Sequence, residues 1–301
     1  MFYFSPSTST TSGVIFIIFV CLQYLTFKYL TFILLYRMKE KISITLEREL
    51  IEEIDSFVDG IRIRNRSQAI EFLLRKSLSE KRTAVILAGG EEEKLKVNGV
   101  YKPILEYKGC SAIEHIVKNL RKYRFTEIYI IGRKHVLSEI FKVVGDGNEY
   151  GVEIKYIEEK PLKPVTKQDT ARTLKLINGK IKKPFLCIYC DVIFDFDLNA
   201  VWNFHLKSSS IATLIVKTSP NPQEWGNIEL EGEYIVEFIE KPKKTKNYLV
   251  FSGVFIASPE LLAQQGNSLE YEIFPNLAKK RLLTGYVISG FCEHVDKLIK
   301  K

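Results

Sequence analysis

The chain has 301 residues, 46% of them hydrophobic and 27% charged, and its 44 Lys and Arg against 36 Asp and Glu give a formal net charge of +8. That length holds one α/β domain of about 200 residues plus something small. The composition excludes a disordered or collagen-like chain, and five cysteines with no paired framework exclude a disulfide scaffold and favour a reduced, cytoplasmic protein.

The positive excess is spread unevenly: two in residues 1–37, one in 38–82 and five in 83–301. It suits a nucleotide or nucleic-acid partner without demonstrating one. Residues 1–37 form a hydrophobic extension. Val14 to Tyr36 is 23 residues with one charge, Lys28, long enough to cross a bilayer. Arg37, Lys39 and Lys41 follow it, so an anchor here leaves the rest of the chain in the cytoplasm. The absence of Lys and Arg from residues 1–13 argues against a secretory signal. A start at Met38, with the upstream stretch an extension of the reading frame, is the competing reading; a buried helix is the third.

Residues 38–81 read as a small separate module. Lys41 to Leu46 alternates with period two: Ile42, Ile44 and Leu46 form one face, and Lys41, Ser43 and Thr45 the other. Leu50, Ile51, Ile54, Phe57 and Val58 then recur at helical spacing, and Asp59-Gly60 ends that helix. A second helix opens near Asn65 or Ser67 and runs through Ala69, Ile70, Leu73 and Leu74. A strand and two helices in about 40 residues bury no core alone. Two copies that pair their strands and intertwine their helices would repair this. The order of elements resembles the ribbon-helix-helix family of DNA-binding proteins. The resemblance implies a homodimer whose ribbon enters the major groove, with Lys41, Ser43 and Thr45 toward base edges. It also places Ser67 and Arg66 near a phosphate at the start of the second helix. A plain dimerisation ribbon with a solvated polar face is the alternative.

From residue 82 to 301 the pattern is strand, glycine turn, helix, strand, repeated. Thr83–Ala88 is a nearly continuous apolar run closed by Gly89-Gly90, the mark of a strand buried on both faces. Further strands read at 127–131, 152–157, 185–190 and 211–216, with helices at 112–123, 136–144, 170–177 and 198–207. Strands at 226–230, 234–240 and 249–257 look like a mixed extension. The fold class is α/β, a doubly wound, mostly parallel, Rossmann-like sheet whose ligands bind at the carboxyl ends of strands. Cys187 and Cys190 form a C-x-x-C, but on a strand residues i and i+3 point to opposite faces. The four histidines are scattered and indicate no metal cluster.

Several landmarks then fall in order: Leu87-Ala88-Gly89-Gly90, Lys102-Pro103-Ile104-Leu105, Asp191 after a strand, Trp225-Gly226, Glu240-Lys241-Pro242, and Leu269-Glu270 with Ile273-Phe274-Pro275. Together they resemble the sugar-phosphate nucleotidyltransferases, the nucleoside-diphosphate-sugar pyrophosphorylases. The resemblance implies that an NTP and a sugar 1-phosphate give an NDP-sugar and pyrophosphate. Leu87, Ala88, Gly89, Gly90 and Thr170 would then bind nucleotide, and Lys102 and Lys94 would face phosphates. Gly226, Glu240 and Lys241 would bind the sugar phosphate, and Asp191 and Asp296 would hold Mg²⁺. This chain departs from the family pattern at Glu91-Glu92-Glu93-Lys94, at Asp169-Thr170-Ala171-Arg172 and at Cys190. Carboxylates aimed at a triphosphate repel it, unless they turn outward with Lys94 neutralising one. Two functions are therefore expected to compete: an enzyme fused to a DNA-binding module, and a transcriptional regulator whose degenerate domain senses a nucleotide or sugar nucleotide.

Overall fold

The computed structural model describes residues 42–78, 81–160 and 169–299. The chain divides into two compact units, Met1–Ser79 and Glu80–Lys301. The hydrophobic extension 1–37 and Lys41 lie outside the described residues. Among the described residues no helix is long and apolar enough to cross a membrane.

In the first unit two helices form, Arg48–Ser56 and Arg66–Leu78. The turn between them is organised by Asp59, whose Oδ1 accepts the backbone N–H groups of Ile61, Arg62 and Ile63 at 2.8, 2.7 and 2.9 Å. Asn65 caps the second helix by accepting Gln68 N–H at 3.0 Å, so Ser67 lies inside the first turn rather than at the cap. Residues 42–47 belong to no ladder, and Ile42 and Ile44 are exposed. The expected strand is therefore not formed in a single chain, because a lone strand has nothing to pair its N–H and C=O groups with. Arg66, expected against a phosphate, instead makes a bidentate pair with Asp55 at 2.7 and 2.6 Å.

The second unit is built on a nine-stranded sheet. From one edge its order is Ala212–Thr218, Leu283–Val287, Tyr234–Glu240, Gly226–Glu231, Leu249–Ala257, Phe185–Tyr189, Arg82–Ala88, Phe125–Gly132 and Glu153–Glu158. The last four run parallel, and each of their carboxyl ends points the same way. Beyond Phe185–Tyr189 the pairings turn antiparallel, save for Ala212–Thr218 with Leu283–Val287. The sheet is thus mixed rather than mostly parallel. The later strands are joined by short turns such as 232–233, which permit only antiparallel neighbours.

Period-two alternation divides the core between the two faces. Ala84, Ile86 and Ala88 pack with Ile116, Leu120, Val136, Ile140 and Val201 from the helices Ala112–Lys122, Lys134–Val144 and Leu198–Lys207. Val85 and Leu87 face the other way, against Leu174 and Phe274 from Thr170–Leu174 and Phe274–Lys279. Cys187 and Cys190 fall on opposite faces accordingly, both buried and free. The first of these helices starts with a full capping box between Ser111 and Glu114.

Candidate active site

A cavity of about 280 Å³ opens where the four parallel strands end. Leu87, Gly89 and Gly90 line it from the end of the first strand, Arg133 from the second and Glu159 from the third. Tyr189, Cys190 and Asp191 line it from the fourth. This is where an open α/β sheet binds ligands, because the loops that leave the strands diverge there.

Two long-range pairings assemble the charged end. The strand Phe291–His294 lies antiparallel to Val192–Asp195 with His294 opposite Val192, and Val295 N–H donates to the Asp191 carbonyl at 2.8 Å. His294 and Asp296 are thereby set beside Asp191. The short helical turn Lys102–Ile104, pinned by buried Pro103, supplies Lys102. Its Nζ lies 3.2 Å from Asp191 Oδ2 and 3.5 Å from Asp296 Oδ2. His294 Nδ1 stands 3.0 Å from Asp191 Oδ1. Burial works against the charged form of Asp191, but His294 and Lys102 more than offset it and hold the carboxyl well below its usual range. Burial likewise disfavours the Lys102 ammonium, and Asp191 with Asp296 overcome that and raise it.

Asp191, His294 and Asp296 offer one ligand atom each within 4.8 Å of one another. Asp296 Oδ1 is a buried acceptor without a hydrogen-bond partner. A carboxylate oxygen left so, beside Asp191 and His294, fits a divalent cation. His294 is a functional candidate that sequence spacing dismissed; its signal lies only in the long-range strand pairing.

Also lining the cavity, Gly226 sits opposite Glu240 in the hairpin Gly226–Glu231/Tyr234–Glu240, and the Trp225 ring before it lies 5.0 Å from that of His294. A side chain at position 226 would collide with Phe238 and Glu240. Lys241 adopts a left-handed φ of 46°, and its N–H is held by the Trp225 carbonyl at 3.0 Å. Burial, with the charge of Glu270 added, pushes the Glu240 carboxyl up to about 7. Glu270 itself accepts hydrogen bonds from Tyr189, from Thr170 at 2.6 Å and from Ser268 at 3.1 Å. The hydroxyl of Thr170, expected to bind nucleotide, is thus committed to Glu270.

Of the residues expected from sequence, the cavity brings together Leu87, Gly89, Gly90, Lys94, Lys102, Thr170, Asp191, Gly226, Glu240 and Lys241. Asp296 reaches the same cluster through Lys102. Ala88 does not line it: its side chain is buried in the core. The acidic loop divides. Glu91 lines the cavity and is paired with Lys94 at 2.8 Å. Glu92 turns to Lys96 at 2.8 Å and to the Tyr101 hydroxyl, and Glu93 is exposed and does not line it. Sequence reasoning missed Arg133, Glu159 and Thr173 altogether, although two of them directly follow parallel strands.

Sheet and cavity define an α/β domain with one charged cleft across the carboxyl ends of its parallel strands. The chain belongs to the nucleotidyl transferase family, whose model matches residues 83–282. The mannose-1-phosphate guanyltransferase of Saccharomyces cerevisiae is 29% identical over 221 residues, covering 69% of this chain and 59% of that protein. The chain thus spans about three fifths of the length of the curated relatives it matches. Among solved structures, a provisionally assigned glucose-1-phosphate thymidylyltransferase from Bacillus anthracis, in complex with sucrose, superposes with a TM-score of 0.61. It is 20% identical, over 71% of this chain and 89% of that one. HddC from Yersinia pseudotuberculosis gives 0.58 at 16% identity, over 73% of this chain and 97% of that one. These two likenesses concern the fold.

Proposed function

We propose that the second unit transfers a nucleotidyl group from an NTP to a sugar 1-phosphate, releasing pyrophosphate. The observation that carries this reading is the meeting of Lys102, Asp191 and Asp296 in one cleft beside the Gly89-Gly90 turn. The names of the curated relatives give the reaction class. An oxygen of the sugar phosphate attacks the α-phosphorus in line while pyrophosphate leaves, so the protein's task is to position and neutralise phosphates. The Gly89-Gly90 backbone permits close approach, with Gly90 at φ 106°. Lys102 supplies a desolvated positive charge, and Lys241 a second at the sugar end. With its carboxyl pushed up to about 7, Glu240 accepts from sugar hydroxyls and, in its protonated fraction, donates to them as well. Mg²⁺ held by Asp191 and Asp296, with His294 adjoining, would add Lewis-acid charge stabilisation.

Measurement of pyrophosphate release from NTPs with sugar 1-phosphates tests this. Asp191→Ala and Lys102→Ala should each lower turnover by roughly 10²–10³-fold. Turnover unchanged in either variant, or absent from the wild type across the panel, would contradict it. In the latter case a sensor that binds nucleotide without turnover remains, which equilibrium binding distinguishes. The outward turn of Glu92 and Glu93 and the Glu91–Lys94 pair favour the enzyme over that sensor.

For the first unit we propose a ribbon-helix-helix homodimer that binds DNA through Ser43 and Thr45, with Lys41 on the same alternating face. The exposure of Ile42 at 68% and Ile44 at 52%, beside exposed Leu50, Phe57 and Phe72, supports a second copy as the missing cover.

A further inference from the structure

The groups that can hold a cation in the cleft include an imidazole, and the neighbouring contacts leave that imidazole a definite place among them. Lys102 Nζ lies 3.2 Å from Asp191 Oδ2 and 3.5 Å from Asp296 Oδ2, so a fixed ammonium already serves one oxygen of each carboxylate. The other two oxygens are placed differently. Asp191 Oδ1 stands 3.0 Å from His294 Nδ1, and Asp296 Oδ1 is buried with no hydrogen-bond partner. One ligand atom from each of Asp191, His294 and Asp296 lies within 4.8 Å of the others, so the three can share one ion.

The imidazole is held where it stands. Its strand pairs with Val192–Asp195, His294 opposite Val192. The Trp225 ring lies against it, with centroids 5.0 Å apart and planes 33° from parallel. Trp225 is itself 6% exposed, and its ring meets the ammonium of Lys217 at 3.9 Å and that of Lys297 at 4.2 Å. A ring so placed gives up little freedom when it takes a ligand, which is how the surroundings of a metal site favour one working orientation.

This donor set suits Mg²⁺ poorly. Mg²⁺ is small and hard, prefers oxygen and keeps much of its water, so an imidazole beside it adds little. A first-row transition cation takes imidazole nitrogen and carboxylate oxygen together. Carboxylates alone serve Mg²⁺ and Mn²⁺ alike, so the choice between cations falls to the nitrogen. We propose that His294 is a ligand and that it turns the preference of this cleft from Mg²⁺ to a transition cation of the Mn²⁺ or Co²⁺ kind. This rests on the nucleotidyl-transfer reading for what the site is for, and adds to it the identity of the cation and the residue that chooses it.

The test is equilibrium binding of Mg²⁺, Mn²⁺ and Co²⁺ to the full chain by calorimetry, for wild type and His294→Asp, with electron-spin-echo measurements on the Mn²⁺-loaded wild type. Wild type should hold Mn²⁺ and Co²⁺ more tightly than Mg²⁺. His294→Asp, whose donors are all oxygen, should lower the ratio of Co²⁺ to Mg²⁺ affinity by at least about ten-fold, the cost of losing even an outer partner at a metal site. Mn²⁺ bound to the wild type should show coupling to a nitrogen nucleus. A ratio unchanged in His294→Asp overturns the proposal. Bound Mn²⁺ without nitrogen coupling overturns it too, and needs no variant to fold. If no divalent cation binds, Asp191 and His294 are a structural pair only and the proposal fails. Nucleotidyl transfer is decided separately, by pyrophosphate release with each cation supplied in turn; release that persists after any of these failures leaves that reading standing.

Discussion

Glu240 shows how a single carboxyl records its surroundings. Its side chain is 7% exposed, and burial, followed by the charge of Glu270, lifts it to about 7 from an ordinary 4.5. A carboxyl whose folded value is raised favours the protonated native state. Its contribution is fully present below pH 4.5 and is lost as pH rises through 7. Glu240→Gln should therefore leave stability near pH 4 little changed and raise it at pH 8, by up to roughly 3 kcal/mol. Urea denaturation at the two pH values measures this; equal effects at both would show that Glu240 is ionised throughout. Residues such as Glu240, Lys102 and Asp191 were legible because each stands in a short motif. His294 was not, because nothing near it in the chain marks it. Glu159 and Arg133 were half legible: the rule that ligands meet the carboxyl ends of parallel strands points to the first residue after each strand.

At the scale of elements, the strand Phe291–His294 has two tasks. It brings His294 and Asp296 to Asp191, and it receives Lys217, whose buried ammonium donates to the Cys292 carbonyl at 2.7 Å and to Glu293 at 3.1 Å. A chain ended after Gly290 takes both acceptors from that ammonium and leaves only the Trp225 ring against it, a loss of up to about 3–5 kcal/mol. It should therefore lose stability in a urea titration, and lose pyrophosphate release completely. Retention of either property would show that this strand supports neither the core nor the cleft. Apolar patterning made the strands of the nine-stranded sheet from Arg82 to Ala257 readable, since burial on both faces writes a continuous run and burial on one face an alternation. The direction of the later strands and the pairing of 291–294 with 192–195 were not readable, because register between segments about 100 residues apart leaves no local pattern.

For the whole molecule, the two units solve the problem of burial differently. The second covers both faces of its sheet within one chain. The first leaves Ile42, Ile44 and Ile61 in water, and its expected strand has no neighbour. If a second copy supplies that neighbour, the full chain should sediment as a dimer at micromolar concentration. Ile42→Lys with Ile44→Lys should make it monomeric and abolish salt-sensitive DNA binding, with pyrophosphate release retained. A wild type that sediments as a monomer contradicts the ribbon.

The placement of the cysteines gives the second unit a chemical register of its own opening. Cys187, Cys190 and Cys292 are buried, and burial pushes all three thiols up, Cys292 to about 12. Since the thiolate is the reactive form, these three are silent toward alkylating reagents while the sheet is closed. Cys110, in a surface hairpin, is half-buried and accessible. Slow acquisition of label at Cys187, on the strand between Arg82–Ala88 and Leu249–Ala257, therefore clocks the parting of the central strands themselves.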